Sequence, residues 1–343
     1  MIDVSDPRQQ TATATAAVST GARTRRYLPQ QRHLPVMATL TLLATMYGLG
    51  ALNYTGFSQP QILLNILVDN AFLLVVAVGM TFVILTGGID LSVGAVVALT
   101  TVCAAVLLRE GWPAAVVLPL VLLIGTTIGL LMGLIIHFFD IQPFIATLAG
   151  MFFARGLCHL ITRDSITITD GFWTTAAQHR IRFGDGYFIS ISVVVALVVV
   201  LIAAYVLAYT PFGRKVYAIG GNPQSALLMG LPVGRTRIAV YTISGFCAAL
   251  GGVLLSFYML SGYSLHAQGM ELDAIAAVVI GGTLLTGGSG YLLGTVLGVG
   301  VLGLIQTIIA FQGTLSSWWT KIVIGALLFA FIILQRLVTR RRG

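Results

Sequence analysis

Charge is what this chain lacks most. Lys, Arg, Asp and Glu make up 9% of its 343 residues, against about 25% in a soluble domain. Ten of the thirty charged residues fall outside the span 34–338, which leaves twenty for 305 positions. With 57% hydrophobic residues and a mean hydropathy of +0.96, that scarcity excludes an ordinary soluble enzyme, a disordered chain and a disulfide scaffold. Cysteine is also scarce. Cys103, Cys158 and Cys247 sit in apolar stretches with no CxxC spacing and read as buried small hydrophobes. The five histidines form no HExxH or other ligand pattern, so no metal is expected. There is no GxxxxGK[ST] phosphate loop, no paired-carboxylate constellation and no Ser/His pair, so no cofactor and no catalytic residue are assigned. The net charge of +8 would suggest nucleic acid in a soluble protein, but here the positions of the charges matter more than their sum. No nucleic-acid partner is expected.

Long apolar runs are what the chain has. A membrane-crossing helix needs about 20 apolar residues. Ten runs qualify: 34–52, 61–86, 91–108, 114–137, 142–161, 187–209, 237–260, 271–286, 291–311 and 316–338. The expected fold is therefore all-α, a polytopic membrane protein of about ten transmembrane helices with Gly-rich breaks. Residues 1–33 are polar and basic and lack the early apolar core of a secretory signal. They read as a disordered cytoplasmic tail, 34–338 as the transmembrane domain, and 339–343 as a basic cytoplasmic end.

Lys and Arg in short loops set orientation. Five Arg lie in the tail, Arg214, Lys215 and Arg235 in the 210–236 loop, and Arg336, Arg340, Arg341 and Arg342 at the end. Ten alternating spans put all three segments on one side, which is read as the cytoplasm. The opposite-side loop 162–186 balances Arg163, Arg180 and Arg182 against Asp164, Asp170 and Asp185.

An internal echo accompanies this layout. Residues 81–98 (TFVILTGGIDLSVGAVVA) and 281–298 (GGTLLTGGSGYLLGTVLG) align without gaps, sharing LTGG and later Gly94/Gly294. Duplicated halves with Gly-interrupted segments mark substrate paths in transporters, while recurring small residues also arise at helix crossings. Both copies run in the same sense.

The 210–236 loop is the most unusual stretch. Pro211 and Gly213 are expected to end the preceding helix, Gly220-Gly221-Asn222-Pro223 to turn, and PQSALLMG to form a short helix with an apolar face of Ala226, Leu227, Leu228 and Met229, closed by Gly230. Such a helix suits docking into a partner's groove or lying on the bilayer.

At these residues the chain resembles the membrane permeases of bacterial ABC sugar importers of the ribose, arabinose and xylose type. The matching stretches are 69–99, 142–156, 212–233, 271–290 and 313–329, in order across most of residues 60–335. The wording of 142–156, 271–290 and 313–329 is most similar to one of the two permeases of the galactofuranose importer. The resemblance implies two permease subunits, identical or distinct, forming the pore in the inner membrane. ATP-binding subunits lie beneath them and a periplasmic sugar-binding protein above. It also makes the 210–236 loop the coupling element, with Gly221, Asn222, Ala226 and Gly230 at its core and Gly213, Arg214 and Lys215 beside it.

Ionisable groups in membrane segments are functional candidates by default. Asp90, followed by Ser92, sits at a Gly-rich break, where it either caps the next helix or touches solute. Asp69-Asn70 and Glu271-Asp273 begin inward-running helices, and capping competes with lining a vestibule. For a neutral sugar the path candidates are Asn70, Thr86, Asp90, Ser92, Phe144, Thr283, Gln306 and Trp318, with Trp319. Trp318-Trp319 and Lys321 read more simply as an interfacial belt with a snorkelling lysine. The alternatives are an ion-coupled secondary transporter built around Asp90, or an ABC permease for a nucleoside or branched-chain amino acid.

Overall fold

Proline at the start of a run and glycine at its end decide where the helices lie. Pro60, Pro143, Pro211 and Pro223 each open a helix, where the missing N–H costs nothing. The computed structural model describes residues 34–184, 186–314, 316 and 318–340. The 1–33 tail, Asp185 and residues 341–343 lie outside the described residues, as do the side chains of Arg336 and Arg340.

In chain order the helices are α1 (Leu34–Asn53), α2 (Pro60–Leu85), α3 (Val93–Arg109), α4 (Ala114–Phe138), α5 (Pro143–Ile161), α6 (Gly171–Gln178), α7 (Ile191–Tyr209), α8 (Pro211–Gly221), α9 (Pro223–Leu228), α10 (Val233–Met259), α11 (Met270–Ile280), α12 (Leu292–Gln312) and α13 (Trp318–Arg340). Short strands are β1 (Ile166–Thr167), β2 (Arg180–Phe183), β3 (Tyr187–Ser190) and β4 (Ser261–Gly262). Among the described residues seven helices, α1, α2, α4, α5, α7, α10 and α12, are long and apolar enough to cross a membrane, and the chain is a polytopic membrane protein. The runs at 91–108, 271–286 and 316–338 also become helices, but shorter or shifted ones. The 271–286 run stops at Ile280, because Gly281 and the left-handed Gly282 (φ +92°) end it. Its eleven residues are about 16 Å long, roughly half the hydrocarbon thickness.

The centre is α2 and α10. From Asn70 to Leu85 every α2 residue except Phe72 is buried. Helix α10 packs along α4 in antiparallel fashion, brought close by glycine: Gly125, Gly129 and Gly133 face Ala249, Gly245 and Ile238 in turn. Helices α5 and α7 bury one face, with Ala154, Cys158, Ala196 and Leu207, and turn a large apolar face outward, with Phe152, Phe153, Leu160, Leu201 and Tyr205 exposed.

Two departures from expectation reshape the ends. Residues 187–190 form β3 rather than the start of a helix, pairing with β2 in antiparallel fashion. The 162–186 segment carries its own structure. Helix α6 is capped by the Asp170 carboxylate, which accepts from the Phe172 and Trp173 amides at 3.0 Å each, and β1 pairs with β4. Trp173 is fully buried and donates its indole N–H to Ser256 Oγ at 2.9 Å. Gln61 fastens the β2–β3 pair by exchanging bonds with the Phe188 N–H and carbonyl (3.0 and 3.2 Å).

Candidate functional site

Two Gly-rich breaks interrupt the helices at the end of the bundle where α8 and α9 lie. The first, 86–92, joins α2 to α3, and the second, 281–291, joins α11 to α12. Gly87 and Gly287 both adopt left-handed φ (+79° and +84°), the backbone region that favours glycine. The two LTGG segments meet in space: the Gly288 N–H donates to the Leu85 carbonyl at 2.9 Å, and a side chain on Gly287 would overlap the Gly87 backbone.

Asp90 is buried in the first break. One carboxylate oxygen accepts the Ser92 amide (3.0 Å) and hydroxyl (2.6 Å), and the other accepts the Ser244 hydroxyl from the middle of α10 (2.7 Å). The group therefore holds the start of α3 against α10, with both oxygens engaged by protein donors. Ser92 is buried with it. Helix α11 begins nearby in the interior, since the Glu271 carboxylate abuts Gly94 in the first turn of α3.

The remaining path candidates are spread through the fold. Asn70 is buried against Gly303 of α12 and donates to the Ile66 carbonyl. Thr86 is buried and donates to the Val83 carbonyl. The Thr283 hydroxyl is buried in the second break without a hydrogen-bond partner among the described residues. Phe144, Gln306 and Trp318 are exposed on three different helices. The structure thus gathers Thr86, Asp90 and Ser92 at one break and leaves the others apart. The Lys321 ammonium bonds both Asp273 carboxylate oxygens at 2.7–2.8 Å, tying α13 to the first turn of α11. Asp69 accepts from the Tyr258 hydroxyl at 3.2 Å.

Several polar groups beyond these candidates were missed from sequence. Arg155 on α5 donates to the Ser264 and His266 carbonyls (2.6 and 2.8 Å) and so holds the 263–269 segment that leads into α11. Burial, and then the nearby Arg155 guanidinium, keep the His266 imidazole below its ordinary value.

The 210–236 loop is more helical than expected. Pro211 opens α8 instead of ending α7, and Thr210 caps it by accepting the Gly213 amide at 3.2 Å. Gly213 is buried in the first turn of α8, with no room for a side chain beside the Leu207 carbonyl. Gly220 and Gly221 belong to α8, so the turn is reduced to Asn222, whose side chain caps α9 by accepting the Ser225 amide at 2.9 Å. Of the expected apolar face only Ala226 packs inward; Leu227, Leu228 and Met229 are exposed. Gly230 closes the turn with φ +75°. Arg214 is exposed and Lys215 half-buried.

The family model described as branched-chain amino acid transport system / permease component matches residues 62–332. The inner membrane ABC transporter permease protein YjfF of Escherichia coli is 48% identical over 310 residues, 90% of this chain and 94% of that protein. The fructose import permease protein FruG of Bifidobacterium longum is 42% identical over 311 residues, covering 89% and 91%. The ribose import permease protein RbsC of Haemophilus influenzae is 40% identical over 283 residues, covering 82% and 85%. No solved structure matches the chain. The residues matched by the family model include both breaks and the α8–α9 loop, and the relatives are transport permeases, so this multi-pass membrane chain belongs to the ABC transporter permease family.

Proposed function

We propose that the chain is the permease subunit of an ATP-driven, binding-protein-dependent importer that moves a monosaccharide across the inner membrane by alternating access. The solute is of the galactofuranose or ribose kind. The fructose and ribose import permeases among the relatives support the sugar class. The scarcity of charge within the spans suits a neutral solute. In this reading the chain binds no cofactor. ATP is held by partner ATP-binding subunits, a second permease subunit completes the pore, and a periplasmic sugar-binding protein delivers the solute. The termini and the α8–α9 loop face the cytoplasm, in keeping with the Arg and Lys clusters there.

The observation that carries the reading is α9. A capped, apolar-tipped helix at the same end as both breaks supports a docking role, with Leu227, Leu228 and Met229 as its anchors. An apolar helix face laid in a groove is a recurrent mode of partner recognition. The test is uptake into proteoliposomes carrying the complete complex, with loaded binding protein outside and ATP inside. Uptake is expected to persist under a proton uncoupler and to fail without ATP. The reverse pattern would select the ion-coupled alternative. Leu228→Glu is expected to release the ATP-binding subunits while the permease itself still inserts; full retention of those subunits would remove α9 from the role.

A further inference from the structure

We infer that the end of α8 and the two LTGG breaks form one mechanical unit, with Gly220 as its positioning residue, so that motion of the coupling loop is delivered to both breaks together. This rests on the reading of α8–α9 as the loop that meets the ATP-binding subunits, and goes beyond it by naming where the motion is received.

Three segments far apart in sequence touch backbone to backbone. A Cβ on Gly220 would overlap the Leu85 carbonyl oxygen and the Gly288 amide nitrogen, the two atoms that hydrogen-bond to join the breaks at 2.9 Å. A Cβ on Gly288 would lie 2.7 Å from the Gly221 nitrogen and 2.8 Å from its Cα. On the Gly87 side, a Cβ would lie 3.2 Å from the Thr286 carbonyl oxygen. The Tyr217 hydroxyl, one helical turn before Gly221, donates to the Gly290 carbonyl at 3.0 Å. Main-chain atoms at such separations leave no compliant side chains between the elements, and close-packed interiors transmit displacement rather than absorb it.

Each partner leads into the membrane. Leu85 ends α2, and five residues beyond it Asp90, bonded to Ser92 and Ser244, holds α3 against α10. Gly288 and Gly290 precede α12, which packs on α11 and α2. A shift of α8 therefore reaches four helices through a few main-chain contacts. The neighbouring α9 tip, by contrast, is exposed and free to engage a partner. The pair α8–α9 divides the work: α9 receives and α8 transmits.

The experiment uses the full complex in proteoliposomes. With native cysteines Cys103, Cys158 and Cys247 replaced by Ala, Gly221→Cys and Ser289→Cys, both exposed, are joined by a short bis-maleimide. If the two segments move as one unit, uptake after cross-linking stays within about twofold of the uncross-linked double variant; a block would show independent motion and overturn the inference. Gly220→Ala is expected to reduce the stimulation of ATPase by loaded binding protein about 2- to 30-fold, the range found for substitutions along coupling networks, with the ATP-binding subunits still co-purifying. Tyr217→Phe shifts it in the same direction and less. Gly325→Ala on α13, where a Cβ meets nothing, is the substitution control. An assembled Gly220→Ala complex with wild-type stimulation would overturn the inference. If Leu228→Glu also left the ATP-binding subunits bound, the coupling-loop reading itself would fall; if Leu228→Glu released them and Gly220→Ala were silent, only the junction would.

Discussion

The two LTGG breaks are spelled alike, yet they open their helices by different chemistry. At the first, a buried carboxylate does the work: Asp90 collects donors from Ser92 and Ser244 and so pins α3 to α10. At the second, there is no carboxylate or basic side chain, and α12 begins at Leu292 with no side-chain cap from Tyr291 before it. Its position is fixed instead by absent side chains, Gly294 lying against the Gly281 backbone and Gly298 against the Ala277 carbonyl. The shared word places a left-handed glycine at 87 and at 287, although Gly288 is left-handed too and Gly88 is not. The residues that follow decide what the break is joined to. A polar stitch between distant elements is directional, whereas glycine packing depends on shape alone.

The largest effect is expected at the carboxylate. Asp90→Ala strands the Ser92 amide and hydroxyl and the Ser244 hydroxyl in the interior, at about 1–3 kcal/mol for each buried group left unpaired. A drop of several degrees in the unfolding midpoint of the purified complex, with reduced membrane yield, is expected. Asp90→Asn keeps acceptor capacity on one oxygen and is expected to lose less. An Asp90→Ala protein as stable as the parent would make the two breaks equivalent after all.

The glycines come next. Residues 94 and 294 are paired by the internal echo, but their neighbours differ in compliance. A Cβ at Gly294 meets the Gly281 main chain, whereas at Gly94 one neighbour is the end of the Glu271 side chain, which can swing away, and the other is the Ala267 carbonyl in a loop. Overpacking costs about 1–3 kcal/mol where the surroundings are stiff. Gly294→Ala is expected at the upper part of that range and Gly94→Ala at the lower, measured as unfolding midpoints in the same detergent. The opposite ranking would mean that the α11–α12 contact is the softer one.

This asymmetry was only partly legible beforehand. Apolar length and Gly or Pro punctuation located each long helix, because backbone groups in a membrane are satisfied most simply within a helix. The LTGG echo was visible as a repeated word, and the Asp90-x-Ser92 spacing announced a capping alternative. What composition could not convey was depth. Gly281 stops α11 after eleven residues through a left-handed neighbour, although Thr283 to Thr286 remain apolar enough to prolong the run. By charge alone 162–186 reads as a balanced loop and 187–190 as the start of a helix, because two- and four-residue strands and one eight-residue helix carry almost no periodic signal. Trp173 was the available clue, a large aromatic amid polar residues. The meeting of Gly220, Leu85 and Gly288 has no local signature, since three segments supply one backbone contact each.

The smallest predicted effect tests whether the helices leading to and from the two breaks are joined by more than shape. Thr81 on α2 and Thr295 on α12 are both fully buried, with hydroxyls 2.8 Å apart. Thr81 also lies 2.7 Å from the Ala77 carbonyl and donates there, so Thr295 is the donor between the helices. Thr295→Val removes the donor and leaves Thr81 Oγ1 still bonded through its own hydrogen, whereas Thr81→Val leaves the Thr295 hydroxyl seeking an acceptor. The second single variant is therefore expected to cost more than the first, and the pair to show a coupling of about 0.6 kcal/mol, the average for such bonds between membrane helices. A double-mutant cycle on the unfolding free energy in mixed micelles measures it. A coupling indistinguishable from zero would mean that α2 and α12 are held by packing alone, extending the all-shape character of the second break up the helices. A coupling of the expected size would place one directional bond on each side of the break pair, Asp90 to α10 and Thr295 to α2.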